Sequence, residues 1–193
     1  PADEQIDSFE KFRFLPGVIK NLSFLREKSD YEFVMVSNQD GLGTESYPED
    51  TFWPTHNLML QTLEDEGVNF DEIFIDRSFL ADNLPTRKPG TAMLTKYMKA
   101  DSEYDLSNSY VIGDRITDAM LAKNLGCKAL IIGDNETLGE SLPGGCDVTI
   151  VNDWNKIAEI LFAGNRVAEV KRTTNETDIY IRVCLDGGGA AKV

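Results

Sequence analysis

The chain has 193 residues, with 19 basic and 33 acidic side chains, which gives a formal net charge of −14 at pH 7. This acidity excludes a surface that binds nucleic acid through rows of phosphate contacts. Apolar residues make up 41% of the chain, as is usual for globular proteins. No apolar run approaches the roughly 20 residues that span a bilayer. We therefore expect a globular protein with neither a nucleic-acid nor a membrane partner.

Cysteine and histidine are scarce. Cys127, Cys146 and Cys184 lie far apart and form no Cys-x-x-Cys pair or metal-binding spacing. We interpret them as buried thiols of a cytoplasmic protein, in keeping with an N-terminus that has no signal-peptide pattern. His56 is the only histidine, which excludes a multi-histidine metal site. We interpret His56 as a helix or surface residue rather than a catalyst.

Apolar runs of strand length alternate with segments of helical period along most of the chain. The predicted strands are short and apolar: residues 33–36, 73–75, 110–112, 129–132 and 148–150. The predicted helices follow an amphipathic spacing: one from residue 18, then about residues 51–66, 90–99, 117–125 and 153–163. Strands that are apolar on both faces are typical of parallel sheets covered by helices. The pattern predicts an α/β fold with an open parallel sheet flanked by helices.

The pattern changes after residue 164. Residues 167–170 and 179–183 alternate apolar and polar side chains, with a turn-like stretch between them. This predicts a β-hairpin or the opening strands of a second domain. We therefore divide the chain into an α/β domain, residues 1–164, and a C-terminal β segment, residues 165–193.

Polar clusters follow three of the predicted elements, and ligands of open α/β sheets bind at the carboxyl ends of the strands. Ser37 and Asn38 end the first strand, where a hydroxyl, an amide and free backbone N–H groups can hold a phosphate. The alternative is an ordinary turn. Arg87 and Lys88 precede a proline and could pair with an anionic substrate. The alternative is a solvated basic pair.

The third cluster is acidic. Gly113 and Asp114 follow the strand at 110–112, and Asp118 comes four residues after Asp114. Magnesium takes one or two carboxylates together with water and phosphate oxygens, which this pair could supply. The alternative is a helix cap formed by Asp114 or Thr117. A cap accounts for one of the carboxylates but not for both.

The order and spacing of the three clusters resemble motifs of the haloacid-dehalogenase-like phosphatases. Within that superfamily, residues 14–18, 37–43, 87–89 and 109–118 are similar to histidinol-phosphate phosphatases. The resemblance covers about residues 3–160 and implies a haloacid-dehalogenase-like (Rossmannoid) α/β fold.

The tail shows a second resemblance. Residues 166–179, and the turn at 186–189, are similar to the opening of imidazoleglycerol-phosphate dehydratases. In bifunctional histidine-biosynthesis proteins that dehydratase follows the phosphatase directly. The resemblance implies that residues 165–193 open a dehydratase domain, through which the full protein could form a homo-oligomer. No histidine follows residue 164, so the tail by itself lacks the metal ligands of that activity.

The phosphatase resemblance implies Mg²⁺-dependent hydrolysis of L-histidinol phosphate to L-histidinol and phosphate through an aspartyl-phosphate. One Asp attacks phosphorus, and a second Asp two residues later protonates the leaving group. Magnesium and a lysine neutralise charge on the phosphoryl oxygens. The alternatives are a related phosphatase for another small phosphomonoester and a non-catalytic phosphate-binding remnant.

The resemblance also implies roles for individual residues. Ser37 and Asn38 would bind the phosphoryl group. Lys88 would hold its oxygens and the nucleophile, with Arg87 beside it. Asp114 would ligate Mg²⁺.

Three further residues complete this set. Asp118 would orient Lys88 or a metal-bound water. Gln39 and Asp40 would form part of the substrate mouth.

The nucleophile motif is absent, since no Asp-x-Asp occurs in the 193 residues. The family places this motif on the first strand, so we expect a first strand and its nucleophile upstream of Pro1. The chain by itself is then expected to be inactive. Residues 74–78 imitate the motif, but Ser78 stands where the second Asp belongs. Residues 132–134 imitate the Asp114 motif without an acidic partner at the right spacing.

The second difference from the family pattern concerns zinc. Many relatives hold zinc with a Cys-x-His and a Cys-x-Cys pair in the loop before Arg-Lys-Pro. The matching residues here are Asp76, Ser78, Leu84 and Thr86. With no thiolate or imidazole at these positions, the sequence predicts no zinc.

Overall fold

The computed structural model describes residues 5–134, 142–163, 167–173 and 178–184. Their strands are β1 Val34–Asn38, β2 Glu72–Asp76, β3 Tyr110–Gly113, β4 Lys128–Ile132, β5 Val148–Val151, β6 Val167–Thr173 and β7 Asp178–Cys184. Their α-helices are α1 Val18–Lys28, α2 Glu49–Asp65, α3 Ile116–Leu125 and α4 Trp154–Ala163. Short 3-10 turns cover Leu80–Asp82, Ala92–Leu94 and Leu106–Asn108. The predicted alternation of strands and helices is confirmed except between β2 and β3, where the chain has only 3-10 turns.

The strands form three sheets within the described residues. β1 pairs in parallel with β2, while β3, β4 and β5 form a parallel sheet with β4 in the middle. The predicted open parallel sheet is therefore divided between β1 and β3, which do not pair with each other. β6 and β7 form the predicted antiparallel pair, with Val167 opposite Cys184. The predicted turn at 174–177 lies outside the described residues.

The core lies on both faces of β4. Leu130 packs with Leu25 of α1 and Ile157 of α4. Its neighbours in β4 point to the opposite face, where Ile131 packs against Ala119 of α3. These five side chains are all buried, and each large one contributes about 1.5–3 kcal/mol relative to an exposed position. The parallel sheet is thus covered by helices on both sides, as its apolar strands predict.

The predicted helix over residues 90–99 is wrong. The structure has only the 3-10 turn Ala92–Leu94 there, followed by further turns. The chain folds back on the preceding loop, because the Ala92 N–H donates to the Pro85 carbonyl at 3.0 Å. Leu94 and Tyr97 are nonetheless buried. A spacing of three residues suits a 3-10 turn as well as a helix, so the apolar pattern did not distinguish them.

The thiols differ in their surroundings. Cys127 is buried as predicted, whereas Cys146 is only half-buried, so the prediction of burial is wrong for Cys146. Burial, reinforced by the nearby Cys146, raises the pKa of the Cys127 thiol to about 11. The side chain of Cys184 lies outside the described residues. No helix in the described ranges is long and apolar enough to cross a membrane.

Candidate active site

Asn38 joins the first and second polar clusters. Its Oδ1 accepts a hydrogen bond from the Lys88 backbone N–H at 2.9 Å, and its Nδ2 donates to the Lys88 carbonyl at 3.1 Å. An amide side chain is suited to this two-point contact because it carries both a donor and an acceptor. Asn38 at the end of β1 therefore fixes the backbone of Lys88, although 50 positions separate the two residues.

Lys88 in turn reaches the third cluster. Its Nζ donates to Asp118 Oδ1 at 2.9 Å, and the two side chains are 17% and 6% exposed. Asp118 lies in the first turn of α3, where its Oδ2 accepts the Arg115 backbone N–H at 3.1 Å. The structure thus places the ends of β1 and β3 at one site, with Lys88 between them. The contact that the sequence predicts between Asp118 and Lys88 is present, while the catalytic roles of both residues remain predictions.

Gly113 allows Asp118 to approach the end of β3. A Cβ at position 113 would lie 2.1 Å from Asp118 Oδ2 and 2.5 Å from Asp118 Cβ. Only a residue without a side chain fits this contact, since atoms that are not bonded do not approach so closely. The glycine before Asp114 therefore belongs to the site.

We expect Gly113→Ala to lower the free energy of unfolding by about 1–3 kcal/mol, because the new methyl group must displace Asp118 from Lys88. Chemical denaturation measures this change. Gly144→Ala is the matched control, since a Cβ at position 144 meets no atom within 4 Å. Equal stabilities of the two variants would contradict the close contact at Gly113.

Arg87 faces the loop that follows β1. Its Nη1 and Nη2 donate to the two carboxylate oxygens of Asp40 at 2.6 and 3.1 Å. Nη1 also donates to the Ser78 carbonyl at 2.8 Å. Bidentate pairs of this kind are strong and fix orientation. The alternative of a solvated basic pair is wrong, because Arg87 and Lys88 both pair with carboxylates and are only 15% and 17% exposed.

The other residues predicted for the mouth lie beside Asn38. Ser37 accepts a hydrogen bond on its hydroxyl oxygen from Gln39 Nε2 at 2.7 Å. The Gln39 backbone N–H donates to the Asp76 carbonyl at 2.7 Å. The loop after β1 is therefore joined to the end of β2, and the predicted phosphate-binding and mouth residues form one connected group.

Asp114 follows Gly113 and is exposed. Within the described part of the chain it forms no hydrogen bond or ion pair. The residue that caps α3 is Arg115, and Asp118 accepts its backbone N–H. The alternative in which Asp114 or Thr117 caps this helix is wrong. A free carboxylate at a strand end suits Mg²⁺, which keeps waters and needs only one or two protein ligands.

Asp76 is a buried site residue that the sequence did not reveal. Its carboxylate accepts hydrogen bonds from the hydroxyls of Ser78 and Thr86 and from the Ser78 backbone N–H. Burial by itself raises the pKa of this carboxyl, but these hydrogen bonds and the charge of Arg87 outweigh it, so the pKa lies below its ordinary value. An Asp at a strand end with Ser two residues later is a turn signal that could have indicated the contact. The prediction that this loop holds no zinc stays a prediction.

His56 lies in α2, as interpreted from the sequence. Its ring stacks on Phe52 with 5.0 Å between ring centres and meets Trp53 edge-on. Burial lowers the pKa of this imidazole. None of these contacts involves the residues around Lys88.

Two comparisons address the fold. The family model Hydrolase_like, described as HAD-hydrolase-like, matches residues 85–152, which include Lys88, Asp114 and Asp118. The crystal structure of D,D-heptose 1,7-bisphosphate phosphatase from B. bronchiseptica, in complex with magnesium and phosphate, superposes with a TM-score of 0.69 at 26% identity. The superposition covers 82% of this chain and 89% of that one. The chain has a haloacid-dehalogenase-like fold. Asp114 follows the end of β3 in that fold, and the Lys88–Asp118 pair lies at the start of the next helix.

Curated relatives are closer in sequence. The histidine biosynthesis bifunctional protein HisB of Bacteroides fragilis is 54% identical over 195 residues, a match that covers 100% of this chain and 52% of the relative. The protein of the same name from Spirosoma linguale is 47% identical over 200 residues, covering 98% of this chain and 52% of the relative. The chain thus spans about half the length of the curated relatives it matches. The resemblance predicted from the motifs is confirmed.

Proposed function

We propose that the chain is the phosphatase part of a bifunctional histidine-biosynthesis protein and that this part hydrolyses L-histidinol phosphate with Mg²⁺. The observation that carries the proposal is the Lys88–Asp118 pair at the start of α3, four residues after Asp114, whose carboxylate forms no hydrogen bond or ion pair within the described residues. The 54% identity to a bifunctional HisB protein supports the substrate. The likeness to a phosphatase crystallised with magnesium and phosphate supports the reaction class and the metal.

In this proposal the Lys88 ammonium group neutralises negative charge on the phosphoryl group. The Asn38 contacts hold its backbone, and Asp118 holds its ammonium group, so it is oriented before substrate binds. Ser37 would bind the phosphoryl oxygens together with the remaining Nδ2 hydrogen of Asn38. The backbone N–H groups of Gln39 and Gly41, which the sequence offered for this role, already donate to the Asp76 and Arg77 carbonyls. Asp114 would hold Mg²⁺, which when bound neutralises charge on the transferring group.

The nucleophile is proposed to come from the segment before Pro1. An Asp there would attack phosphorus, and a second Asp two residues later would protonate the leaving alkoxide and then activate water. The arrangement of the sheets supports this proposal. β1 and β3 do not pair with each other, and all their residues are only half-buried. A strand paired with both would deliver its carboxyl end beside Lys88.

Several wider properties are part of the same proposal. Residues 165–193 would open the dehydratase domain, since the relatives are bifunctional and about twice as long as this chain. The complete protein would be a cytoplasmic biosynthetic enzyme acting on a small phosphorylated substrate. Its homo-oligomers would form through the dehydratase domain.

The substrate is tested with the protein expressed from the complete reading frame that includes this chain. We expect phosphate release from L-histidinol phosphate in Mg²⁺, with kcat/KM at least about 10²-fold above that for sugar phosphates, as is usual where polar contacts select a substrate. Chelation with EDTA should remove this turnover. The panel includes heptose 1,7-bisphosphate, because the likeness to its phosphatase favours it as the second candidate. Preference for that compound would overturn the assignment of histidinol phosphate as the substrate. No turnover of any compound would favour a non-catalytic remnant.

A further inference from the structure

The Asp76 carboxylate ties together the two ends of one loop. Oδ1 accepts the hydroxyl of Ser78 and, at 3.0 Å, its backbone N–H, which lie just after β2. Oδ2 accepts the hydroxyl of Thr86, at the far end of the loop. Residues 79–85 between these ends are exposed. Few buried contacts therefore stabilise the loop. Besides its local turn bonds and the Ala92–Pro85 bond, the hydrogen bonds at its ends hold it in place.

These hydrogen bonds also explain why Asp76 can be buried. The residue is 5% exposed, and a buried carboxylate is unfavourable unless it is paired or hydrogen-bonded. Two hydroxyls and one backbone N–H supply the donors. Removing one donor leaves an oxygen of a buried anion without its partner, so the loop end nearest that oxygen should open to water.

The loop end carries a residue of the substrate mouth. Arg87 follows Thr86 directly and donates to the Ser78 carbonyl at 2.8 Å, so it contacts the same two loop ends that Asp76 joins. The Arg87 side chain also donates to the two oxygens of Asp40, in the loop after β1. A displacement of Thr86 would therefore also displace Arg87 and, through its ion pair, Asp40.

We propose that Asp76, Ser78 and Thr86 form a clasp, built from hydrogen bonds alone, that closes loop 77–87 and holds the Arg87–Asp40 pair at the substrate mouth. Asp76 is then a positioning residue for substrate binding. It touches neither Lys88 nor Asp114, so its contribution is to substrate affinity and not to the chemical step. The clasp itself depends only on the geometry, whereas its effect on substrate rests on the proposed function.

The decisive comparison is between Thr86→Val and Thr86→Ser, measured by hydrogen exchange on the complete protein. Val keeps the shape of Thr but removes the hydroxyl, while Ser keeps the hydroxyl. We expect the hydrogen-bonded backbone amides among residues 79–84, those of Phe79, Asp82 and Asn83, to exchange about 10- to 100-fold faster in Thr86→Val, as is typical for the loss of a hydrogen bond to a charged group. Thr86→Ser should exchange like the parent. Equal rates in both variants, whether raised or not, would overturn the clasp.

The effect on substrate is read from the same variants. Thr86→Val and Asp76→Asn should raise KM for histidinol phosphate at least about tenfold with little change in kcat, because only mouth contacts are lost. Thr86→Ser should keep the parental KM, because it keeps the hydroxyl. A loss confined to kcat would overturn the positioning role. If the complete protein does not turn over histidinol phosphate, the proposed function fails, while faster exchange in Thr86→Val alone still supports the clasp.

Asp105 supplies the matched control. Its carboxylate also accepts the hydroxyl and backbone N–H of a serine two residues later, here Ser107, but this turn is exposed and leads to β3 from its amino end. Asp105→Asn should leave both KM and exchange in residues 79–84 at parental values. A KM increase equal to that of Asp76→Asn would show a general effect of such turns and would overturn the specific role of Asp76.

Discussion

Replacing Lys88 by Met should both abolish phosphatase turnover and destabilise the fold. The Lys88 ammonium lies 2.9 Å from an Asp118 carboxylate whose side chain is 6% exposed. Met leaves that carboxylate buried without its counter-charge, a loss that typically costs about 3–5 kcal/mol. Turnover should fall because the charge proposed to balance the phosphoryl oxygens is gone. Urea denaturation at pH 7 and phosphate release from the complete protein measure the two effects.

Two controls separate the buried pair from a general effect of losing a lysine. Lys96 pairs with Glu72 at 2.6 Å, but both side chains are about 40% exposed, so Lys96→Met should cost at most about 1 kcal/mol. The double variant Lys88→Met, Asp118→Asn removes both charges and should recover part of the lost stability without any turnover. If the double variant is no more stable than Lys88→Met alone, an unpaired Asp118 is not the cause.

The meeting of Lys88 with Asp118 illustrates what the sequence could predict. Asp118 lies in the first turn of the helix after β3, at the strand ends where parallel α/β folds gather their ligand-binding residues. That rule needs only the order of strands and helices, which the apolar runs provide. Asn38 and Asp114 could be placed at strand ends on the same grounds. The contact of Asp118 with Lys88, which lies in a loop, is implied by the resemblance to the phosphatases.

Contacts made between loops could not be predicted in this way. Arg87 reaches Asp40 across 47 positions, and Asp76 reaches Thr86 across a loop with no periodic pattern. Neither contact follows from strand order, because loop conformation depends on individual hydrogen bonds. The helix predicted over residues 90–99 also failed at the level of individual hydrogen bonds. Its apolar spacing is real, but the Leu94 and Tyr97 N–H groups donate to the carbonyls three residues earlier, so the segment forms 3-10 turns instead of an α-helix.

Changing Asp114 to Asn should remove Mg²⁺-dependent turnover while leaving the fold intact. Asp114 is exposed and has no partner within the described residues, so the substitution should change the free energy of unfolding by no more than about 0.5 kcal/mol. It removes the charge proposed to hold the metal, whose stabilisation of the transition state is worth several kcal/mol. Turnover should therefore fall at least about 10²-fold. A Mg²⁺ titration of phosphate release, run beside urea denaturation, measures both quantities.

Asp134 tests whether position in the fold, and not local sequence, makes Asp114 the ligand. Gly133 and Asp134 follow β4 as Gly113 and Asp114 follow β3, and both aspartates are exposed. Asp114 follows the strand that leads to Asp118, four residues later at the start of α3, whereas Asp134 follows β4 and has no acidic residue four positions later. Asp134→Asn should therefore keep parental turnover and the parental Mg²⁺ dependence. Near-normal turnover of Asp114→Asn at the same Mg²⁺ concentration would instead overturn the metal assignment, because the other carboxylate that follows β3, Asp118, is already engaged with Lys88.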